Sequence, residues 1–420
     1  MIRKGALVMA SAMLVASGGV VSAADEPFDL EVLVFETPAL TPEFWDTGLA
    51  NAAEGIEGLN VVKLVTPDLD RTAYAKQLQA TGQFPDLQAA LILTDFVDAG
   101  LLQPFDDAFL QENFLFPDAT KVAGSAYQTP SGGQIVSMMY YNEDIFAELG
   151  LEEPTTYDEF VQVSQAAIDG GYVPVAFAGS EPWSASLPMS TIFATDVLGP
   201  DPDWVIKRTN GEVCFSDDNV VAAAAKWKEL VDMGAVDSGS IGVDYQGATN
   251  AFLDGEAAMY LMGSWWLGAA PGASFPVGVF PFPTAGGETV IPLHIGGLFS
   301  VSSEVEDVDR AMEFAQNWAL DPYTIQFFVE ADGLFGYAKG LTAADIGAEV
   351  LPIFDESFGW TIDDAANVVP AFAWTNNDQM LLPPGFSNEF YASAQNIFLG
   401  DDPASEMARL DGAYGVACGG

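Results

Sequence analysis

The stretch that decides the fold is Ser137–Phe160, which reads SMMYYNEDIFAELGLEEPTTYDEF. It begins as an apolar strand and continues with helix-starting residues. Asn142 is a favoured helix N-cap, and Gly150 is a favoured residue just past a helix end. Thr156 and Glu159 have the spacing of a capping box, so a second helix follows at once. Local physics therefore predicts a strand, a short helix and a second capped helix.

Outside this stretch, the spacing of apolar residues predicts strands that alternate with helices. A strand, a helix and a strand at this spacing favour a parallel sheet with crossover helices, so the fold class is α/β. The predicted strands are Leu30–Phe35, Leu59–Val65, Gly133–Tyr141, Val173–Ala178, Ala257–Leu261, Val277–Phe280 and Leu298–Val301. The predicted helices include Pro42–Glu54, Thr72–Thr81, Val220–Met233, Val308–Ala319 and Asn388–Leu399.

Residues 1–24 have the composition of a cleavable signal peptide. Arg3 and Lys4 precede the apolar run Leu7–Ala16, and small residues follow at Ser22 and Ala23. Beyond them, the sequence contains no uninterrupted apolar run of about 18 residues, the length that favours a membrane-spanning helix. We therefore expect a periplasmic protein that is exported and does not insert into a membrane.

The composition is strongly acidic, with 60 Asp and Glu residues, 13 Lys and Arg residues and a formal net charge of −47. Such a charge repels nucleic acid and anionic membranes, so neither is an expected partner. The acidic residues are scattered, which favours a solvated surface adapted to high salt over an acidic tail. The charge also leaves open a cationic ligand such as a polyamine.

Few residues are available for metal binding or nucleophilic catalysis. Cys214 and Cys418 are the two cysteines, and His294 is the single histidine. An exported chain allows one disulfide, but the sequence does not show whether these cysteines meet. Two cysteines are too few for a metal cage, and one histidine leaves little room for Ser-His or Cys-His chemistry. No catalytic residue, cofactor or metal is therefore expected.

The opening stretch resembles the YYN-x-D-x-F…GL-x-x-P-x-T-x-x-EF signature of extracellular solute-binding proteins of family 1, the sugar-capturing subunits of ABC importers. Phe252–Trp265 resembles the family's F-x-x-G-x-A-A-M…G-x-W block. Gly400–Ala404 resembles its G-x-x-P-x-x-A-L ending, with Met407 in place of the common Ala-Leu. The order and spacing of the blocks extend the resemblance over essentially the whole mature chain.

The resemblance implies the type II periplasmic-binding-protein fold, like that of maltose-binding protein, with two lobes and two or three hinge crossings. We place lobe 1 at residues 25–134 and 299–350, and lobe 2 at residues 135–298 and 351–420. The resemblance also implies that a mono- or oligosaccharide binds in the cleft and is delivered to a membrane ABC permease. We expect a monomer.

A sugar presents C–H faces and hydroxyl groups, so its site needs aromatic surfaces and pre-positioned polar side chains. Open α/β sheets bind ligands at strand ends, where several of these residue types follow predicted strands. Trp183, for example, lies in a loop that we expect over Ser180–Pro188, after a predicted strand. Neighbours on a strand face opposite ways, so either Tyr140 or Tyr141 is expected at the cleft. The candidate ligand-binding residues are Glu36, Trp45, Gln88, Tyr140, Tyr141, Trp183, Asp244, Trp265, Trp266, His294, Gly297 and Trp374; Trp204, Trp227, Trp318 and Trp360 are assigned to packing.

Two other classes of function stay open. Tyr140 and Tyr141 are adjacent phenols, which is compatible with a ferric-ion-binding relative. The sequence has no G-x-S-x-G elbow, P-loop or H-E-x-x-H motif, which disfavours the corresponding enzymes. A glycosidase-type carboxylate pair stays open because so many acids are present.

Overall fold

The computed structural model describes residues 27–36, 40–67, 71–363, 366–375 and 377–419. The predicted signal peptide, residues 1–24, lies outside these ranges, as do the first two residues of the predicted lobe 1. Within the described ranges, every helix is too short or too polar to span a membrane.

Strands and helices alternate along the described chain, as the sequence predicts. The strands are β1 (Phe28–Val34), β2 (Leu59–Val65), β3 (Leu87–Ala89), β4 (Lys121–Val122), β5 (Ser125–Ala126), β6 (Gly132–Ile135), β7 (Met138–Asn142), β8 (Val173–Ala176), β9 (Ala257–Met262), β10 (Val277–Phe280), β11 (Val290–Gly296), β12 (Phe299–Val301), β13 (Phe335–Gly336) and β14 (Asn367–Pro370).

The helices cover the sheets and supply most of the connections. They are α1 (Pro42–Ala53), α2 (Arg71–Ala80), α3 (Thr94–Asp98), α4 (Asp107–Asn113), α5 (Glu143–Leu149), α6 (Tyr157–Gly170), α7 (Pro182–Phe193), α8 (Trp204–Thr209), α9 (Asp218–Asp232), α10 (Tyr245–Leu253), α11 (Val308–Ala319), α12 (Pro322–Asp332), α13 (Ala343–Ile346), α14 (Pro352–Ile362), α15 (Phe386–Phe398) and α16 (Pro403–Tyr414). A π-helical turn spans Ala194–Leu198, and 3₁₀ helices span Ser238–Gly242 and Ser264–Gly272.

Two four-stranded sheets form the bodies of the fold. The first has the strand order β12-β3-β1-β2, and β1 runs parallel to both β2 and β3. The second has the order β10-β7-β9-β8, in which β8 runs parallel to β9. The parallel β1–β2 pair with α1 between its strands is the unit that the sequence predicts.

A third sheet, which we call the crossing sheet, has the strand order β13-β6-β11-β14. The chain leaves the first sheet through β6 and enters the second sheet at β7. It returns from β10 through β11 to β12, and later passes through β13 and β14 towards α15 and α16. Those two helices pack on α7 and α9. The repeated passage confirms the predicted two-lobed α/β fold; the positions of the lobe boundaries stay a prediction.

The helix-end signals of the opening stretch are confirmed. The Asn142 side chain caps α5, and Gly150 follows that helix with a φ of 66°. The Thr156 hydroxyl and the Glu159 carboxylate form the complete capping box of α6. Local sequence chemistry is therefore enough to fix this part of the backbone.

Two local predictions were wrong. The single strand predicted over Gly133–Tyr141 is two strands, β6 and β7, because the chain changes sheets at Val136 and Ser137. The loop expected over Ser180–Pro188 is mostly the start of α7. Pro182 stands at the first position of this helix, where a missing N–H costs nothing.

The sequence leaves the pairing of the cysteines open, and the structure joins them. Cys214 and Cys418 form a disulfide with a Cα–Cα distance of 5.5 Å across a sequence separation of 204. The buried guanidinium of Arg208 donates a hydrogen bond of 3.0 Å to the carbonyl of Val416. The segment after α16 is therefore held to α8 by a hydrogen bond and to the loop between α8 and α9 by a covalent bond.

Candidate functional site

A cavity of about 370 Å³ lies where the first sheet meets the crossing sheet. Phe35 and Ala90, which follow the parallel strands β1 and β3, line one side of it. The carboxyl ends of parallel strands share one edge of a sheet, which is where open α/β folds bind ligands. Trp318 and Phe328, from α11 and α12, add aromatic surface. The volume is near the lower end of the range of about 300–1,000 Å³ for ligand pockets.

Gly297 lies in the wall of this cavity and directly against another segment. A Cβ atom at Gly297 would lie 2.1 Å from the carbonyl oxygen of Thr129. Any larger residue would force the two backbones apart. This close approach explains why a glycine follows β11 at this point.

His294 is a partly buried polar residue that lines the cavity. Its Nδ1 is buried and has no hydrogen-bond partner among the described residues. Burial lowers the pKa of the imidazole to about 4, so His294 is neutral at pH 7. A neutral imidazole can donate one hydrogen bond and accept another. It can therefore pair with an uncharged polar ligand.

Asp332 is the acidic residue that lines the cavity, at the last position of α12. Burial raises the pKa of its carboxyl to about 6. A carboxylate at a helix C-terminus is also unfavourable because it lies at the negative end of the helix dipole. Nearby, the charge of Asp332 contributes to the raised pKa of Tyr245, which burial mainly causes. Asp332 therefore lines the cavity and also lies close enough to Tyr245 for its charge to raise the pKa of that phenol.

Three indoles and a phenol form an aromatic cluster, which consists of Trp183, Trp265, Trp374 and Tyr245. The Trp265 and Trp374 rings are stacked with centroids 5.5 Å apart. The Trp183 ring stands edge-on to both, with a centroid distance of 6.1 Å to each. Tyr245 contacts Trp183 at 5.5 Å. All four side chains are partly exposed, so the cluster offers aromatic surface and polar edges.

The topology explains why two of these indoles meet. Trp183 follows β8 and Trp265 follows β9, and these neighbouring strands are parallel. Their carboxyl ends therefore deliver both residues to the same edge of the second sheet. The Glu181 carboxylate accepts a hydrogen bond of 3.0 Å from the Tyr245 N–H, which fixes the start of α10 beside Trp183. The Nε1 of Trp374 is buried without an acceptor in the described protein.

The cluster and the cavity meet at the C-terminal end of α12. A Cβ atom at Gly333 would lie 2.2 Å from the carbonyl oxygen of Ser264, the residue before Trp265. One at Gly268 would lie 2.7 Å from the carbonyl oxygen of Ala331. These two close approaches bring the 3₁₀ helix of Trp265 against the end of α12. Aromatic surface and a ligand-sized cavity therefore lie side by side.

Residues 62–325 match the family model described as bacterial extracellular solute-binding protein. This match covers more than half of the chain. The chain belongs to the bacterial extracellular solute-binding protein family.

Two curated relatives of this solute-binding protein carry sugar-binding names. The "Multiple sugar-binding protein" of Streptococcus mutans is 28% identical over 226 residues, which cover 53% of this chain and 53% of that protein. The "Maltotriose-binding protein" of Pyrococcus abyssi is 25% identical over 271 residues, which cover 62% of this chain and 56% of that protein. The alignments thus span little more than half the length of these relatives.

Solved structures show the same fold over nearly the whole chain. The structure titled "Chitin oligosaccharide binding protein" has a TM-score of 0.77 and 21% identity, and covers 93% of this chain and 98% of its own. The structure titled "SBP RafE in complex with raffinose" has a TM-score of 0.71 and 20% identity, and covers 92% of this chain and 98% of its own. At this identity the likeness establishes the fold.

Four predicted site residues of this solute-binding protein have no exposed surface. The Trp45 indole donates to the Phe35 carbonyl, and the Tyr140 hydroxyl donates to the Gly263 carbonyl at 3.0 Å. Gln88 donates to the Pro85 carbonyl. Trp266 packs against Tyr140 with a ring distance of 4.6 Å. The structure gives these four side chains core positions, and we leave them out of the proposed site.

Three further predicted residues are exposed or partly exposed but lie outside the cluster. Glu36 is exposed two residues after β1. Asp244 caps α10 by accepting a hydrogen bond of 2.7 Å from the Gly247 N–H. Tyr141 donates a hydrogen bond of 2.6 Å to Glu153. The site described above therefore contains five of the predicted residues: Trp183, Trp265, His294, Gly297 and Trp374.

The sequence did not single out Asp332, Tyr245 or Trp318. Asp332 carries no local signal, since one acid among many is indistinguishable before folding. Trp318 follows the apolar period of α11, and its side chain indeed packs on Trp45 with stacked rings 5.5 Å apart. The same side chain also lines the cavity, a second role that periodicity cannot reveal.

The described residues bring one group of potential metal ligands together, Cys214, Asp411 and Cys418. Its two sulfur atoms are joined in the disulfide, so they are not available as thiolates. The adjacent phenols Tyr140 and Tyr141 also have separate partners on opposite faces of β7. Their arrangement does not favour shared coordination of one ferric ion.

Proposed function

We propose that this protein is the substrate-binding component of an ABC importer, that it captures a mono- or oligosaccharide between two lobes, and that it delivers the sugar to a membrane permease. The observation that carries the proposal is the aromatic cluster of Trp183, Trp265, Trp374 and Tyr245 beside the cavity. Indole faces pack on the C–H surface of a sugar ring, and their N–H groups pair with hydroxyls.

The printed names of relatives support a sugar as the ligand class. Curated relatives are named for multiple sugars and for maltotriose, and similar folds are titled for a chitin oligosaccharide and for raffinose. A relative from Mesorhizobium japonicum is named "Probable sugar-binding periplasmic protein". A periplasmic location fits this last name and the predicted signal peptide.

The proposed lobes are residues 25–134 with 299–350, and residues 135–298 with 351–420. This division leaves β1, β2, β3 and β12 in one lobe and β7 to β10 in the other. The strands of the crossing sheet then act as hinges. Ligand binding shifts an existing equilibrium towards a closed form, which the permease recognises.

We further propose that the bound ligand leaves chemically unchanged. The aromatic cluster and the neutral His294 provide binding surface and hydrogen bonds. Among the described residues that line the cavity, Asp332 is the one acid, and glycoside hydrolysis requires a pair of carboxyl groups. This supports a binding protein over a secreted carbohydrate-active enzyme.

The experiment is a thermal-shift screen followed by calorimetry with galactose, maltotriose, raffinose and chitotriose, and with spermidine and ferric ion as competing ligand classes. A sugar at 100 times its dissociation constant should stabilise the protein by about 2.7 kcal/mol. Trp374→Ala and Trp183→Ala should each weaken the binding of that sugar by at least about tenfold. Trp360→Ala is the matched control, since this partly exposed indole lies outside the cluster.

Stabilisation by spermidine or ferric ion, but by none of the sugars, would overturn the proposal. Equal sugar affinity in the two cluster variants and in Trp360→Ala would remove the aromatic cluster from the site. Chromatography of the recovered sugar tests whether it is unchanged, because cleavage products would indicate an enzyme.

A further inference from the structure

The crossing sheet carries three glycines side by side where it faces the cavity. Gly132 on β6 is paired with Gly296 on β11 and with Gly336 on β13. All three line the cavity. We call this row the glycine floor. Paired residues on neighbouring strands point their side chains to the same face of a sheet, so the row leaves one face bare.

The missing side chains would have projected into the cavity. A Cβ atom at Gly132 would lie 3.2 Å from Leu334 Cδ2, and one at Gly336 would lie 3.2 Å from Ile325 Cγ2. Leu334 and Ile325 are themselves cavity-lining side chains. The floor is therefore peptide backbone that borders the cavity, with accessible surface at Gly132 and Gly296 and with Leu334 and Ile325 packed close beside it.

A second observation at the floor points to a ligand. The imidazole of His294 lies beside Gly296, the glycine of β11. A Cβ atom at Gly296 would be 3.2 Å from His294 Nε2. Its other nitrogen, Nδ1, is buried and unpaired among the described residues. Because Nδ1 has almost no accessible surface while the side chain as a whole is only partly buried, a ligand in the cavity reaches the imidazole through its other edge, which carries Nε2.

The charge of Asp332 disfavours a negatively charged ligand group at the end of the cavity that this residue lines. Burial is the cause that raises the pKa of Asp332. The guanidinium of Arg71 also lines the cavity, where it lies over the Phe35 ring, 4.1 Å from its centroid. A second carboxylate beside Asp332 would meet like-charge repulsion in a poorly solvated place.

We propose that the glycine floor, His294 and Asp332 form a subsite for one uncharged sugar ring, and that Asp332 excludes rings that carry a carboxylate. The inference rests on the proposed sugar-binding function. The ring lies against the backbone of Gly132 and Gly296, the two glycines of the floor that keep accessible surface. His294 pairs with one hydroxyl or ring oxygen, and Asp332 accepts hydrogen bonds from hydroxyls at the opposite end.

The experiment compares each neutral sugar of the panel, namely galactose, maltotriose, raffinose and chitotriose, with its uronic acid form, made by oxidising primary hydroxyls. Affinities are measured by calorimetry at pH 7.5. The wild-type protein should bind the uronic acid at least about tenfold more weakly than the neutral sugar that it accepts. In Asp332→Asn this ratio should shrink to within about threefold, because the repelling charge is gone.

Gly132→Ala tests the floor separately. Its added methyl is tight only against the flexible end of Leu334 and makes ordinary contacts with the carbonyls of Phe335 and Gly296, so the fold should persist, which a melting curve verifies. It should weaken the neutral sugar by at least about tenfold, because the methyl lifts the ring from the floor. The controls are Gly412→Ala, where a Cβ atom has no neighbour within 4 Å, and Asp254→Asn, an exposed acid at the end of α10.

The outcomes separate the inference from the proposed function. Binding of none of the neutral sugars overturns both. If a neutral sugar binds but its uronic acid binds equally well, or the ratio persists in Asp332→Asn, the role of Asp332 is refuted. Unchanged affinity in a folded Gly132→Ala variant refutes the floor, while the sugar-binding function stands.

Discussion

Asp378 accepts a hydrogen bond of 2.7 Å from the backbone N–H of Gly124, a residue 254 positions earlier in the chain. Its second carboxylate oxygen accepts from the N–H of Ala123 at 2.6 Å. Both turn residues have positive φ, 52° for Ala123 and 79° for Gly124, which points both N–H groups at one anion. This contact fastens the β4–β5 hairpin to the segment after β14, across the two proposed lobes.

We expect Asp378→Ala to loosen this contact. Charge-assisted hydrogen bonds are stabilising, but this carboxylate is exposed, so the free energy of unfolding should fall by only about 1 kcal/mol. Hydrogen exchange should speed up at the amides of residues 123 and 124. The exposed Asp401 gives the control variant, Asp401→Ala. Unaltered exchange in the hairpin would contradict the expectation.

The disulfide should contribute strongly to stability because it links residues far apart in sequence. Replacing both cysteines, Cys214→Ser with Cys418→Ser, should lower the free energy of unfolding by about 2–4 kcal/mol. Urea unfolding of the variant and of the wild-type protein under reducing conditions measures this. The variant and the reduced wild-type protein should have the same free energy of unfolding, and both should be less stable than the oxidised wild-type protein. A variant as stable as the oxidised protein would refute the prediction.

Asp332 should make the protein less stable as the pH rises. Its folded-state pKa is about 6 against an ordinary value of 3.8, so the folded state binds its proton more tightly than the unfolded state does. The free energy of unfolding therefore falls between about pH 4 and pH 6. Asp332→Asn should stabilise the protein at pH 7, by on the order of 2 kcal/mol, and not at pH 4.

The titration of His294 should make the protein more stable as the pH rises, over nearly the same pH range. Its folded-state pKa of about 4 lies below the ordinary 6.5, so stability is present above pH 6.5 and is lost as the pH falls towards 4. Because this is the single histidine, its ring signals in an NMR titration need no assignment. They should stay in the neutral form down to about pH 5. A midpoint near 6.5 in the folded protein would refute the burial of His294.

Salt should stabilise the fold, since the formal net charge is −47. Repulsion between surface acids is screened as the Debye length falls from about 10 Å at 0.1 M to about 3 Å at 1 M salt. The melting temperature should therefore rise with NaCl. Choline chloride should have a similar effect if screening is the cause. A flat or falling melting temperature would count against an acidic surface adapted to salt.

Much of the fold was predictable because its signals are local. The caps at Asn142, Gly150 and Thr156 act within a few residues, and the strand–helix–strand spacing sets the parallel pair β1–β2. The division of the predicted strand into β6 and β7 was not predictable. Apolar alternation shows that a strand exists but does not show that it changes partners midway.

The site was predictable only in part because burial decides it. Trp265 and Trp266 are adjacent in one 3₁₀ helix, and the sequence does not choose between them. Tyr140, Phe252 and Tyr260 surround Trp266 and hold it in the core, which leaves Trp265 for the cluster. Asp332 becomes distinctive only through long-range packing, which places one acid of 60 beside the cavity.

The spacing of Trp183, Trp265 and Trp374 has an optical consequence. Indoles with centroids 5.5–6.1 Å apart are close enough to exchange excitation energy, so a change at one ring should affect the emission of the other two. Trp45, Trp227 and Trp266 are fully buried, so their fluorescence should lie at shorter wavelengths and should not change when a ligand binds at the cluster. A ligand that contacts any of the three rings should therefore change the emission of the cluster, so unlabelled protein carries its own fluorescent reporter.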